Sequence, residues 1–271
     1  MTGLLSAYLR NAGQGLHAPF KTAAANASLL WVLIRRDLAN RTSGTLLGGF
    51  WPLIQTALQV VGFWFLFDVI YGIRFSTAGP SFLEYLLVGI LPWLCLVEVL
   101  SRATTMLQEF SPLYKRNPFP LEILPLLIMV IPCAVFGLVY VVVAGFLYGP
   151  GTALLALTVI PLLLLWLLPL CLLLPVLGLF MKDFAQALPF LLTMAMYATP
   201  ILYFPEMLPE AARPWLVLNP FADVMALIHG LIQGMEVTPG NLLRPFGLWA
   251  LLLGPAWLVF RRSQPHVREV L

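Results

Sequence analysis

The sequence predicts an all-α polytopic membrane protein: six transmembrane helices, an N-terminal amphipathic helix in the membrane interface, and an external re-entrant hairpin before the last span. Three observations predict it. Hydrophobic residues make up 61% of the 271 positions and charged residues only 10%, with a mean hydropathy of +0.92. A soluble domain carries about 25% charged residues, so there is too little charge here to clothe a water-facing surface. Apolar runs recur with lengths near the roughly 20 residues that a helix rising about 1.5 Å per residue needs to cross hydrocarbon. Finally, the basic residues gather on one side of those runs. No internal repeat or low-complexity linker divides the chain. Residues 1–271 therefore read as one membrane domain, with the interface helix at 26–45, the six-helix core at 50–260 and the external segment at 205–235.

Taken in order, residues 1–21 lack the continuous apolar core of a secretory signal, so no cleavable signal is expected. Residues 27–41 place Leu30, Trp31, Ile34 and Leu38 at three- and four-residue spacing. Arg35, Arg36, Asp37 and Arg41 fall mostly on the other side, which predicts an amphipathic helix lying in the interface and touching anionic lipids. Spans are expected at about 50–71, 82–102, 124–147, 153–180, 187–204 and 243–260. Backbone polar groups find no partners in lipid except within a helix or a closed barrel, so such runs read as helices. The fourth contains Pro161, Pro169 and Pro175 and should tilt, kink or begin in the interface. Residues 215–233 are apolar enough to tempt a seventh span. They hold Asn219, Pro220, Asp223 and His229, and an external re-entrant or interfacial hairpin is preferred.

With six spans both termini share one side. That side collects Arg10, Lys21, Arg35, Arg36, Arg41, Arg102, Lys115, Arg116, Lys182, Arg261, Arg262 and Arg268. The other receives Arg74, Arg213 and Arg244, which makes 12 of the 15 basic residues against 3. By the positive-inside rule the termini are cytoplasmic.

Several chemistries are missing. There is no GxxxxGK[ST] to cradle a nucleotide phosphate, no HExxH, no nucleophile elbow and no paired carboxylates. His17, His229 and His266 are scattered, and a satisfied or solvated histidine is the expectation for each. Cys95, Cys133 and Cys171 lie in apolar runs and read as buried fillers rather than a metal or disulfide framework. The small net charge of +3 carries no clustered basic face for nucleic acid. Asp68, Glu84 and Glu98 are the acids nearest the membrane. Glu98 and Arg102 stand at i and i+4 in the favourable order, so mutual neutralisation is expected.

Five motifs stand out, in order. Arg36, Asp37 and Leu38 lead through Arg41 to Leu47 and Gly48, just before Trp51 and Pro52. Gly89, Ile90, Leu91, Pro92 and Trp93 are followed by Ser101, Arg102 and Ala103. The run from Lys115 to Pro125 contains Phe119, Pro120, Glu122, Ile123 and Leu124. Lys182 and Asp183 follow the fourth span, with Pro189, Phe190 and Pro200 after them. The last motif is Leu218, Asn219, Pro220 and Phe221. Together they cover most of residues 30–235, and they resemble the permease subunits of O-antigen ABC exporters and, more distantly, of capsular polysaccharide ABC exporters. That family more often has Arg-Asp where this chain has Lys182 and Asp183.

The resemblance implies a homodimer in the inner membrane, paired with two ATP-binding subunits that use ATP and Mg, and a lipid-linked polysaccharide as cargo. The chain itself would be no enzyme and would bind no cofactor or metal. Trp31, Arg35, Arg36 and Arg41 would gate the cytoplasmic entrance and touch the ATPase. Glu109, Lys115 and Arg116, in the loop 108–120 that Pro112 and Pro118 stiffen, would receive its force, with Lys182 and Asp183 nearby. The first span sets Gln55, Gln59, Phe63 and Phe67 on one slanted stripe, because each four-residue step drifts about 40° around the helix. Thr193, Tyr197 and Phe204 of the fifth span also fall near one face, and Trp93 adds another ring. Aromatic walls suit the apolar faces of sugars and amides suit their hydroxyls, so these residues are expected to line the conduit. Teichoic acid or a hydrophobic drug as cargo, and a membrane-embedded glycan ligase or polymerase, stay open as alternatives.

Overall fold

The computed structural model describes residues 2–42, 50–70, 72, 81–114 and 119–270. Among the described residues every regular element is a helix, and there is no strand. The helices are α1 (Thr2–Ala25), α2 (Ala27–Thr42), α3 (Trp51–Trp64, continued by a π-helical turn Phe65–Ile70), α4 (Phe82–Glu109), α5 (Ser111–Tyr114), α6 (Leu124–Tyr148), α7 (Pro150–Phe180), α8 (Lys182–Ala198), α9 (Pro220–Gln233) and α10 (Pro239–Val270). Four of them, Phe82–Leu113, Leu121–Tyr148, Pro150–Phe180 and Pro239–Val267, are long and apolar enough to cross a membrane. The first and fifth expected spans fall on α3 with its π turn and on α8. α8 is 17 residues long, about 25 Å of helix.

α4 is the central element, packed against α6, α7, α8 and α9. Its start is fixed by a capping box. The Ser81 hydroxyl accepts from the Glu84 N–H, and the Ser81 N–H donates to the Glu84 carboxylate at 2.8 Å. Glu84 is thus a helix cap, which accounts for an acid at the edge of an apolar run. In lipid, apolar burial drives little association, so close packing and small residues decide which helices touch. Gly178 of α7 lies against the backbone of α4: a Cβ there would stand 2.0 Å from the Thr104 carbonyl oxygen. Gln108 donates to the Gly178 carbonyl at the same crossing. α6 and α7 are antiparallel and joined by Gly149 alone, whose φ of +91° is left-handed territory. α7 runs as one helix across Pro161, Pro169 and Pro175.

α1 is an element that hydropathy did not reveal. It packs parallel to α10. The Tyr8 hydroxyl donates to the Ala250 carbonyl, and Gln14 accepts from both Trp257 (3.3 Å) and Arg261 (3.1 Å). Two glycines make the approach possible: a Cβ on Gly15 would sit 2.9 Å from the Trp257 Cβ, and one on Gly254 2.8 Å from the Tyr8 ring.

α9 has 14 residues, about 21 Å of helix, short of the roughly 30 Å of hydrocarbon. It runs antiparallel to the first half of α4. Phe221 packs edge-on to both Trp93 and Trp166 at 5.4 Å, and eight residues on, His229 stacks on Tyr85 near the start of α4. Asn219 caps α9 through the Phe221 N–H and also donates to the Ala198 carbonyl and the Thr199 hydroxyl. Residues 199–219 are thereby closed into a loop at the end of α8.

Candidate functional site

Five charged residues of α2 and α4 come together: Asp37 and Arg41 on α2, and Glu98, Arg102 and Glu109 on α4. Arg102 holds Asp37 with two hydrogen bonds, 2.9 and 3.0 Å, and reaches Glu109 at 2.9 Å. Arg41 pairs with Glu98 at 2.5 Å and with Asp37 at 3.7 Å. Asp37 is only 5% exposed. The expected Glu98–Arg102 neutralisation is therefore corrected, because each partner turns to α2 instead. A paired i,i+4 contact on one helix contributes about 0.3–0.5 kcal/mol, whereas a planar guanidinium meeting a buried carboxylate in fork geometry is both stronger and geometrically specific. One Arg41 Nη atom and the Ser101 hydroxyl are buried without a partner among the described residues, so the cluster retains hydrogen-bonding capacity.

The same contacts redraw the amphipathic face of α2. Leu33 and Asp37 are its buried positions, while Trp31 (65% exposed), Leu38, Arg35 and Arg36 point away from the bundle. The buried face carries an acid because that acid has a paired guanidinium waiting on α4. Spacing alone, which grouped Trp31 and Leu38 with Leu30 and Ile34, did not reveal this.

On α3, Gln55 is exposed, while Gln59 and Phe63 are half-buried. The side chain of Phe67 lies outside the described residues, as does that of Asp68. Around Gln55, Trp51, Leu58 and Val61 are exposed as well. On α8, Tyr197 is 51% exposed, beside Phe190 and Met194. Thr193 is exposed too, and its hydroxyl donates to the Pro189 carbonyl one turn back. Both helices lean on α4 and leave a broad face uncovered. Phe204, beyond the end of α8, is half-buried with its ring 4.1 Å from Tyr85. Trp93 is 1% exposed and sits in the core against Phe221, without an open face.

Lys115 and Arg116 lie outside the described residues, as do Arg74 and the motif positions 43–48. Glu109, at the end of α4, is turned to Arg102. Lys182 and Asp183 are exposed in the first turn of α8. Asp183 is well placed against the positive end of that helix dipole.

The opposite end of the bundle carries polar residues that the sequence marked only as interruptions. Asp223 is 2% exposed and accepts from Arg244 at 2.8 and 2.5 Å and from Asn241 at 2.8 Å, tying α9 to the start of α10. Arg213 donates to the carbonyls of Glu206 and Leu208, bracing the loop. Two of the three basic residues expected on this side thus have structural work. His229 is buried, and burial lowers its pKa to about 4. It is neutral near pH 7. Gln233 accepts from its Nδ1 at 2.7 Å and donates to the Tyr148 hydroxyl at 2.8 Å, which leaves Nε2 as the bare acceptor nitrogen. The Cys95 and Cys133 sulfurs are 3.6 Å apart in the core, and Cys171 is buried with them. No cluster of three metal-ligating side chains occurs among the described residues.

No protein-family model matches the chain. It is similar to the O-antigen export system permease protein RfbA of Myxococcus xanthus, with 28% identity over 204 residues. It is also similar to two proteins of that name from Klebsiella pneumoniae, with 26% and 25% identity over 206 residues. Each match covers 73% of this chain and 77% of the relative.

Proposed function

We propose that the chain is the transmembrane permease subunit of an ABC exporter that carries O-antigen, or a related lipid-linked polysaccharide, across the inner membrane. The observation that carries this reading is the similarity to O-antigen export permeases over 73% of the chain. The all-helical, strongly apolar build supports it, with four helices already long enough to cross. In this reading α3 with its π turn and α8 supply the remaining two crossings. Both termini are cytoplasmic, and α9 is the returning arm of an external re-entrant hairpin. The half-depth start of α9 beside Trp93 supports that last assignment.

ATP hydrolysis belongs to a partner subunit, since this sequence has no phosphate-cradling loop. The working assembly is a homodimer with two ATP-binding subunits. The uncovered faces of α3 and α8 line the conduit between the two copies, with Gln55, Gln59, Phe63, Phe67, Thr193, Tyr197 and Phe204 along it. An exposed amide among lipid-facing side chains is costly unless it meets water or a polar partner, and Gln55 supports a wet or sugar-filled face. α2 gates the inner entrance and the loop of Lys115 and Arg116 receives force from the ATPase.

The test is deletion of the gene, followed by measurement of surface polysaccharide. Deletion should abolish it and the wild-type chain should restore it, together with a co-purifying ATPase subunit. Lys115→Glu with Arg116→Glu should leave membrane insertion intact and ATP hydrolysis uncoupled from export. Undiminished surface polysaccharide in the deletion strain would overturn the reading.

A further inference from the structure

At the end of the bundle that carries the α6–α7 turn, a cavity of about 330 Å³ opens between three elements. Its floor is Tyr85 of α4 with Ala226 and His229 of α9. Pro200 and Pro205 form one wall, and Glu206 and Glu236 stand at its rim. The floor is rigidly set. Tyr85 and His229 stack at 4.1 Å and 9°, the Tyr85 hydroxyl is committed to the Pro200 carbonyl at 2.8 Å, and Gln233 holds the histidine from behind. Gly89 lets the imidazole in, since a Cβ there would lie 3.0 Å from Nε2. That buried nitrogen has no partner among the described residues.

The hydrogen-bonding character of this cavity is one-sided. Glu206 and Glu236 are acceptors, and the His229 ring adds no donor, since its Nδ1 proton is held by Gln233 and its bare Nε2 packs against Gly89 of α4. The Tyr85 proton is already used, and none of the lining residues carries a positive charge. Arg213 donates to the Glu206 carbonyl rather than to its carboxylate. An occupant must therefore bring donors and no negative charge. The volume is at the low end of the ~300–1,000 Å³ of small-molecule sites, which suits one or two pyranose rings.

We propose that this cavity is a saccharide subsite that takes a neutral or amino-bearing sugar unit of the polymer and rejects an acidic one. The inference rests on the exporter reading above. Its position follows from the fold: the cavity begins immediately beyond Tyr197 and the end of α8, so a chain leaving the uncovered α8 face meets it first. Rim carboxylates accept from sugar hydroxyls, and the proline wall offers an apolar edge to the ring. A single weak grip at the exit opposes back-sliding without halting a moving polymer.

Saturation-transfer-difference NMR on the full chain in lipid nanodiscs tests it, with methyl α-D-glucopyranoside, D-glucosamine and D-glucuronate as probes. The first two should give signals, and glucuronate one at least about tenfold weaker. Glu206→Gln with Glu236→Gln, both exposed positions, should shrink that discrimination to less than about twofold. Ala226→Trp should fill the cavity and abolish all three signals. Equal binding of glucuronate by the unaltered chain would overturn the proposal, as would discrimination that survives the double substitution. So would probe signals seen only with millimolar calcium, the mark of a cation site. Failure here is separable from failure of the exporter reading: loss of surface polysaccharide on gene deletion, with no sugar bound, removes the subsite alone. Sugar bound by a chain whose deletion leaves the polysaccharide in place removes the exporter alone.

Discussion

Arg102 of α4 and Asp37 of α2 face each other in a two-pronged pair, 2.9 and 3.0 Å, with the carboxylate only 5% exposed. The pair joins the helix that precedes the first span to the central helix of the bundle. Asp37→Asn keeps the shape and removes the charge, leaving a buried guanidinium partly uncompensated. A loss of about 3 kcal/mol is expected. Glu109→Gln, at a carboxylate 42% exposed, should cost less than about 1 kcal/mol. Thermal unfolding in detergent, followed by size-exclusion fluorescence, compares the two. Equal losses would mean that the Asp37 pair does not anchor α2.

The α4–α7 crossing leaves no room for a methyl group at Gly178, and its obstacle is the Thr104 backbone. Gly178→Ala should therefore destabilise the bundle by at least about 1–3 kcal/mol. Gly13→Ala meets nothing within 4 Å and should be neutral or gain up to about 1 kcal/mol of helix propensity. The amount of folded, membrane-inserted protein reports both. A well-tolerated Gly178→Ala would place the helices farther apart than described.

The basic-residue asymmetry predicts that both termini lie inside. Single cysteines introduced at His266, Lys182 and Pro209, on a background lacking Cys95, Cys133 and Cys171, can be probed with a membrane-impermeant reagent on intact cells. Only the Pro209 position should react. Labelling of the His266 position would exclude the six-span arrangement.

If the uncovered faces of α3 and α8 line a sugar conduit, their rings act by weak stacking, near the low end of about 1–3 kcal/mol per ring. Phe63→Ala and Tyr197→Ala should each lower surface polysaccharide per inserted protein by about fivefold. Leu138→Ala on α6, at a side chain 68% exposed, should have no effect, because a lipid-facing methyl group does not touch cargo. Normal export in both aromatic variants would assign those faces to lipid or to helix packing.

His229 links stability to pH. Its pKa is lowered to about 4 by burial, against about 6.5 in an unfolded chain. Between those values the unfolded chain binds the proton and the folded one does not. Stability therefore rises with pH across this window and is lost as pH falls from about 6.5 toward 4. The groups facing the ring are Tyr85, Gln233 and, across the cavity, Glu206 and Glu236. Between pH 7.5 and pH 5 the melting temperature should drop further for the wild type than for His229→Phe. Equal drops would assign the acid sensitivity to other groups.

The sequence by itself determined that the chain is helical and membrane-embedded, and it located α4, α6, α7 and α10 closely. Those are properties of single segments. A helix satisfies its own backbone, so length and hydropathy suffice to place it in lipid. Glu84, taken from the sequence only as an acid near the membrane, turned out to cap α4 together with Ser81, three residues before it. Only the tertiary structure decided which segments are neighbours, and with that the partners of each charge. Glu98 turns to Arg41, 57 residues away, and Arg102 to Asp37, 65 residues away, although each had an opposite charge four residues off. α1 docks on α10 through Gly15 and Gly254, two glycines with no local signature, because only contact between the helices gives a missing side chain its value. Asp223 and His229 looked like flaws in an apolar run until α9 was seen to fold back beside α4 and α10. Burying a polar group costs free energy unless a partner meets it, and whether one does depends on the packing of distant segments, which no local pattern encodes.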